Sequence, residues 1–187
     1  KRIGSRFLRA GPAYGGSCFP KDTKAITTTA DKFNTNLSVI KSVIKSNENR
    51  SLLLLKRVFH LLKGKVKNKK ICFLGVTFKA NTDDMRDSSS LSMIPSLVRK
   101  GAKVNYYDPT GEKNEFKKIK NVNFSKNIKS AIKDSDLVII HTEWNDFKTI
   151  NFNKDVSNKK FILFDMRNIY SPVKMKDLKI NYFGVGH

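Results

Sequence analysis

Acidic residues are scarce in this sequence: 16 Asp and Glu stand against 37 Lys and Arg among 187 residues, a net charge of +21 at pH 7. Such an excess raises the question of nucleic-acid binding, because clustered Lys and Arg displace counterions from a phosphate backbone. Here the lysines are spread along the whole chain among many Asn and Ile residues, with neither a helix-turn-helix nor a run of stacking aromatics beside them. A generally basic surface that attracts small polyanions is therefore expected, and nucleic acid is not an expected partner. Cysteine is scarcer still. Cys18 and Cys72 are too few, and too far apart in sequence, for a zinc cluster, and their number suits a reducing compartment such as the cytoplasm. His60, His141 and His187 are scattered without metal-ligand or triad spacing. No apolar run is longer than the four leucines Leu52 to Leu55, which excludes a membrane-spanning helix and predicts a soluble chain. The chain opens on Lys1 with no visible signal peptide, which predicts a processed chain or a piece of a larger one. A Gly-x-Gly-x-x-Gly turn is also missing, so no dinucleotide site is signalled.

What is present suffices for a packed core, since 39% of residues are hydrophobic. Residues 21–32 read as a short helix. Leu37, Ile40, Ile44, Leu55, Val58 and Leu62 then recur at helical spacing and predict one long helix over 37–63, stopped by Gly64 and interrupted on its apolar face by the polar group at 46–51. Beyond residue 66 the pattern changes. Buried strands are expected at 70–75, 103–107, 136–142 and 160–165, with a weaker one at 182–185, and helices at 88–100 and 125–133. Alternating strand and helix predicts an α/β unit with a parallel, doubly wound sheet over 67–187, following a helical region over 1–66. Lys79, Asp108, Glu143 and Arg167 all fall at strand carboxyl ends, where such sheets gather ligands.

The most chemically suggestive stretch is Gly11-Pro12-Ala13-Tyr14-Gly15-Gly16-Ser17-Cys18-Phe19-Pro20-Lys21-Asp22. It places one thiol at the end of a small-residue loop and just ahead of a helix start, since proline is tolerated in the first helical turn. Helix-terminal amides and a neighbouring ammonium favour a thiolate, making Cys18 a candidate nucleophile. Cys72, within an apolar run, reads as core.

This stretch resembles the nucleophile segment of the UDP-glucose 6-dehydrogenase family, NAD-dependent enzymes that oxidise a nucleotide sugar twice. Phe78-Lys79-Ala80-Asn81-Thr82-Asp83-Asp84-Met85-Arg86-Asp87-Ser88 is a second match, and Tyr107-Asp108-Pro109, Thr142-Glu143-Trp144 and Asp165-Met166-Arg167-Asn168 are weaker ones in the same order as in the family. The resemblance implies a Rossmann-like UDP-binding domain after a central helical segment that forms a homodimer contact. It assigns UDP-glucose to Phe7, Leu8, Arg9, Ala10, Gly11, Gly15, Lys79 and Arg167, and gives Arg2 to the substrate of the other subunit. Lys21 and Arg86 face NAD by the same resemblance, and Ser88 caps a helix. In the implied mechanism Cys18 adds to the C6 aldehyde as a thiohemiacetal, oxidation leaves a thioester, and water oriented by Asp22 hydrolyses it. The family's glycine-rich NAD turn and its catalytic threonine and glutamate have no counterpart here, so the chain is expected to lack the main NAD domain and to be inactive by itself. Ala13 and Met166 depart from the smaller residues usual in relatives. UDP-N-acetylmannosamine or GDP-mannose oxidation, and a non-catalytic module that binds UDP-sugar and dimerises, are the alternatives.

Overall fold

The computed structural model of the chain describes residue 4 and residues 8–186; the expectations for Arg2 and Phe7 lie outside the described residues. Two helices come first. α1 (Phe19–Lys32) begins two residues earlier than the apolar spacing suggested, because Pro20 can occupy its first turn. It closes as Phe33 and Asn34 turn back, with Asn34 in the left-handed region at φ 51°. α2 (Ser38–Leu61) spans 24 residues, about 36 Å at the helical rise, and Gly64 with φ 73° permits the turn that follows it.

From residue 70 onward, strand and helix alternate: β1 (Lys70–Leu74), α3 (Ser90–Arg99), β2 (Lys103–Tyr107), α4 (Asn114–Lys117), β3 (Val122–Phe124), α5 (Ile128–Ile132), β4 (Leu137–Ile140), α6 (Phe152–Asp155), β5 (Ile162–Asp165), α7 (Pro172–Asp177) and β6 (Asn181–Gly184). The strands form one sheet in the order β3-β2-β1-β4-β5-β6, every neighbouring pair parallel. This is a doubly wound α/β sheet whose order reverses between β1 and β4. Sequence patterning missed β3, which has only three residues, and the helices α4, α6 and α7, which at four to six residues are too short to show a period. The helix expected at 125–133 shrinks to α5, started by Asn127, whose side chain accepts from the Ser130 N–H.

Alternation along the strands divides the core into two layers. Ile71 and Phe73 face one side, where Leu54 and Val58 of α2, Leu62 just after it, and Met93, Ile94 and Leu97 of α3 cover them. Cys72 and Leu74 face the other, against Ala131 and Ile132 of α5, Phe147, Phe152 and Met175. The carboxyl-terminal half of α2 is thus one layer of the sheet domain, while Asn47 and Arg50 near its middle hold the loop ahead of α1. Met166 is fully buried in the first layer and fills core space there.

Leu97, wholly buried between α3 and the sheet, gives the direct test of this layering. Leu97→Ala is expected to cost about 2–5 kcal/mol in urea unfolding, whereas Lys56→Ala, on the exposed side of α2, is expected to stay within about 0.5 kcal/mol.

Candidate active site

Cys18 occupies the N-cap position of α1 and is exposed. No side chain caps the helix there, so the thiol stands at a helix end whose free amides favour an anion. Ser17 Oγ lies 3.5 Å from its sulfur. Lys21 and Asp22 are exposed in the first turn. Asp22 is linked to Cys18 through the helix backbone, its N–H donating to the Cys18 carbonyl at 2.8 Å. Leu8, Arg9 and Ala10 are exposed on the approach to the loop.

The loop ahead of the thiol is seated on the segment that follows β1. The Gly16 N–H donates to the Arg86 carbonyl at 2.8 Å. A Cβ on Gly15 would stand 2.7 Å from the Asp87 carbonyl oxygen, and one on Gly16 would stand 2.7 Å from the Phe78 ring. Neither residue can carry a side chain without displacing this contact, and Gly16 is also left-handed at φ 87°. Ala13 is not among the residues with positive φ, so its methyl group meets no backbone strain. Lys79 is exposed, with its Nζ 5.3 Å from the centre of the Phe78 ring. The ring that receives Gly16 therefore also carries an ammonium.

Arg86 is exposed and makes a forked pair with Asp84, Nε to Oδ1 at 2.9 Å and Nη2 to Oδ2 at 2.8 Å. The hydrogen bond from Arg86 holds the Asp84 carboxyl below its ordinary range. Asp84 in turn holds Arg86 above its own range, with a smaller contribution from Cys18. Ser88 does not cap α3 as expected. Its hydroxyl donates to the Val76 carbonyl, and the N-cap is Ser89.

Arg167, after β5, ties the loops together. Its Nε donates to the His141 carbonyl at 3.0 Å and its Nη2 to the Phe78 carbonyl at 2.7 Å, while Nη1 lies 2.7 Å from where a Gly11 Cβ would stand. Glu143 Oε2 is 2.9 Å from the same Nε but receives no hydrogen bond, because that N–H is directed at His141; the pair is held by charge alone. Burial pulls the guanidinium below its ordinary value and the Glu143 charge opposes that shift.

Behind Arg167, His141 is fully buried. Thr142 Oγ1 donates to the Thr77 carbonyl, so it accepts from His141 Nδ1–H, and Nε2 accepts from Ser89 at 2.8 Å. Burial, aided by the Arg167 charge, pushes the imidazole down to about 3. At the end of β2, Asp108 is filled by the Val76 N–H, by Thr110 and by Lys113, itself buried. The Thr142 Cβ sits 2.4 Å from where a Gly75 Cβ would be. The turn where a Rossmann fold would receive a pyrophosphate is thus occupied by the protein itself.

Sequence reasoning missed Asn47 and Arg50 of α2, which bond the backbone of Tyr14 and Gly11. The signal was visible as the polar break in an apolar stripe. Among the described residues, no three His, Cys, Asp or Glu side chains gather to hold a metal ion, and no helix is long and apolar enough to cross a membrane.

Residues 72–172 match the model of the UDP-glucose/GDP-mannose dehydrogenase family UDP-binding domain, and residues 1–49 match that family's central domain. The chain belongs to the UDP-glucose/GDP-mannose dehydrogenase family. A UDP-glucose 6-dehydrogenase of Rhizobium meliloti (strain 1021) is 39% identical over 186 residues, covering 99% of this chain and 43% of the relative. Among solved structures, a UDP-glucose dehydrogenase from the hyperthermophilic archaeon Pyrobaculum islandicum superposes with a TM-score of 0.81 at 28% identity, over 98% of this chain and 40% of that one. A UDP-D-ManNAc dehydrogenase from Pyrococcus horikoshii gives 0.75 at 25% identity, over 94% of this chain and 39% of that one. The chain therefore spans about two-fifths of the length of these family members.

Two measurements probe this arrangement. Gly64 is left-handed at φ 73° with nothing near its missing side chain, whereas Gly16 adds the Phe78 ring to a similar φ. Both Gly→Ala changes are expected to destabilise by about 1–3 kcal/mol, with Gly16→Ala the costlier in urea unfolding. For His141, the unfolded chain takes up a proton near 6.5 but the folded chain only near 3. Stability is therefore expected to fall as pH drops through that window, by up to about 1.4 kcal/mol per pH unit from this residue. His141→Gln flattens that slope in unfolding midpoints measured from pH 7.5 to 4.5.

Proposed function

We propose that this chain is the thiol-bearing, nucleotide-sugar-binding part of an NAD-dependent UDP-glucose 6-dehydrogenase, an enzyme that oxidises UDP-glucose to UDP-glucuronate. The supporting observation is convergence. The loop leading to Cys18, the segment from Phe78 to Asp87 and the Arg167 guanidinium meet at the carboxyl ends of β1, β4 and β5, where open parallel sheets bind ligands. In this reading residues 1–66 form the nucleophile and helical part and residues 67–187 the UDP-sugar domain. The relatives at 38–39% identity over nearly the whole chain are named UDP-glucose 6-dehydrogenase, which favours glucose as the sugar.

Lys79, Arg9 and Arg167 supply cations to the pyrophosphate and Arg2 reaches the substrate of the other subunit, while Phe7, Leu8, Ala10, Gly11 and Gly15 border the sugar and nucleoside. Cys18 sulfur adds to the C6 aldehyde carbon, which holds the sugar on the protein as a thiohemiacetal and later as a thioester. Asp22 accepts a proton from the water that releases the acid. NAD supplies the hydride acceptor when bound. Lys21 and Arg86, both cationic and exposed, suit contact with its pyrophosphate, whereas the filled turn at Gly75 and Asp108 does not suit a dinucleotide. The main NAD fold therefore belongs to another part of the enzyme, and this chain is expected to be inactive alone. Val39, Val43, Leu52 and Leu53 leave apolar surface on α2 for a second copy in a homodimer, and two free thiols suit a cytoplasmic setting.

Alkylation tests the reading. Iodoacetamide at pH 7 is expected to modify Cys18 and spare Cys72, whose burial pushes its thiol up, and UDP-glucose is expected to protect Cys18 better than GDP-mannose or UDP-N-acetylmannosamine. Lys79→Ala should raise the half-protective concentration about tenfold or more, the loss of one charge-assisted bond. Absence of protection by any of these sugars would reject the binding role. NADH formation by this chain from UDP-glucose and NAD would reject the placement of the cofactor fold elsewhere.

A further inference from the structure

Ile40, Ile44, Asn47, Ser51, Leu54 and Val58 follow one another at three- and four-residue intervals, so they share one face of α2. Leu54 and Val58 on that face pack into the core beneath the sheet, and Ile44 lines a cavity with Pro20 and Lys24 of α1. Asn47 and Ser51 interrupt the apolar residues, and an aliphatic residue at position 47 would carry the stripe one step further from Ile44. The Asn47 amide instead makes two hydrogen bonds to the backbone of a single residue: Oδ1 accepts the Tyr14 N–H at 2.9 Å, and Nδ2 donates to the Tyr14 carbonyl at 3.1 Å. An adjacent β-strand would grip the loop in the same way, regardless of which side chain residue 14 carries. Close to one helical turn further on, Arg50 Nε donates to the Gly11 carbonyl at 2.9 Å.

A short path leads from this grip to the thiol. The Tyr14 ring meets the Phe19 ring edge-on, with centroids 4.7 Å apart, and Phe19 is the first residue of α1, immediately after Cys18. Fixing Tyr14 therefore fixes the side chain that follows the nucleophile. Cys18 itself has no capping bond to hold it at the helix end.

The geometry points to Asn47 and Arg50 as positioning residues for Cys18: together they clamp residues 11–14 onto α2 and so keep the thiol at the amino-terminal end of α1. This rests on Cys18 being the nucleophile of the proposed function. Neither residue touches the reacting atoms; both act through Tyr14 and Gly11.

The test measures the rate of Cys18 alkylation by iodoacetamide at pH 7 in the full 187-residue chain, without nucleotide sugar, resolved by mass spectrometry. Asn47→Ala is expected to slow it about two- to fivefold, the range that proximity to a helix end gives a charge. Asn47→Asp, which keeps the acceptor for Tyr14 N–H and loses the donor, should fall between. Arg50→Gln should also slow it, and Lys45→Ala, on the exposed side of α2, should not. Cys72 should stay unmodified throughout, reporting an intact core. Should Asn47→Ala unfold the chain and expose Cys72, the milder Asn47→Asp and Arg50→Gln decide. Rates unchanged or raised, or slowed only where Cys72 is also modified, would overturn the clamp. Because these rates need no ligand, failure of UDP-glucose to protect the parent chain would count against the proposed function and leave this result standing.

Discussion

The seating of two glycines on the segment after β1 is the contact on which the site depends. Gly16 donates its N–H to the Arg86 carbonyl, and both glycines lie so close to Phe78 and Asp87 that a single added methyl would stand 2.7 Å from its neighbour. Gly15 meets the Asp87 backbone and Gly16 meets the Phe78 ring, with no side chain of their own between. That closeness places a thiol carried by a helical region beside cations carried by a sheet domain.

The sheet supplies the other half of the constraint. The sheet order reverses between β1 and β4, the place where doubly wound sheets gather ligands, and here the segments after these strands are joined by the Thr142 hydroxyl, which donates to the Thr77 carbonyl. Arg167 crosses this region, with bonds to main-chain oxygens of His141 and Phe78 and its Nη1 against Gly11. A buried guanidinium held by carbonyls is costly to move, and it fixes the loops relative to one another. The neutral His141 behind it joins the start of α3 to the end of β4 through Ser89 and Thr142. The place where a Rossmann turn would cradle a pyrophosphate is instead filled by Thr142 and by Asp108 with its own partners. The sheet keeps the fold's ligand-binding edge while closing its dinucleotide turn.

Much of this was legible in the residues. The long helix followed from its apolar spacing, and β2 was readable to the residue, because strongly periodic or continuous apolar segments carry their own signal. β3 and the short helices were not legible, since three to six residues show no period and form through their neighbours. Of the site, the thiol at a helix start and the Lys79 and Arg86 segment were recognisable from local motifs. Asn47 and Arg50 registered only as a polar gap in a stripe.

By itself, then, the sequence determined where the chain turns, which faces of α2 and the strands are apolar, and that Cys18 opens a helix, since each of these depends on residues within a turn or two of one another. Tertiary structure alone decided that Gly16 meets Arg86, that Arg167 grasps carbonyls on two other loops, and that Asn47 binds Tyr14 across 33 positions of chain. Main-chain donors and acceptors are identical in every residue except proline. Their pairing over such distances leaves no mark in residue type and is settled only when the packed layers bring the loops together.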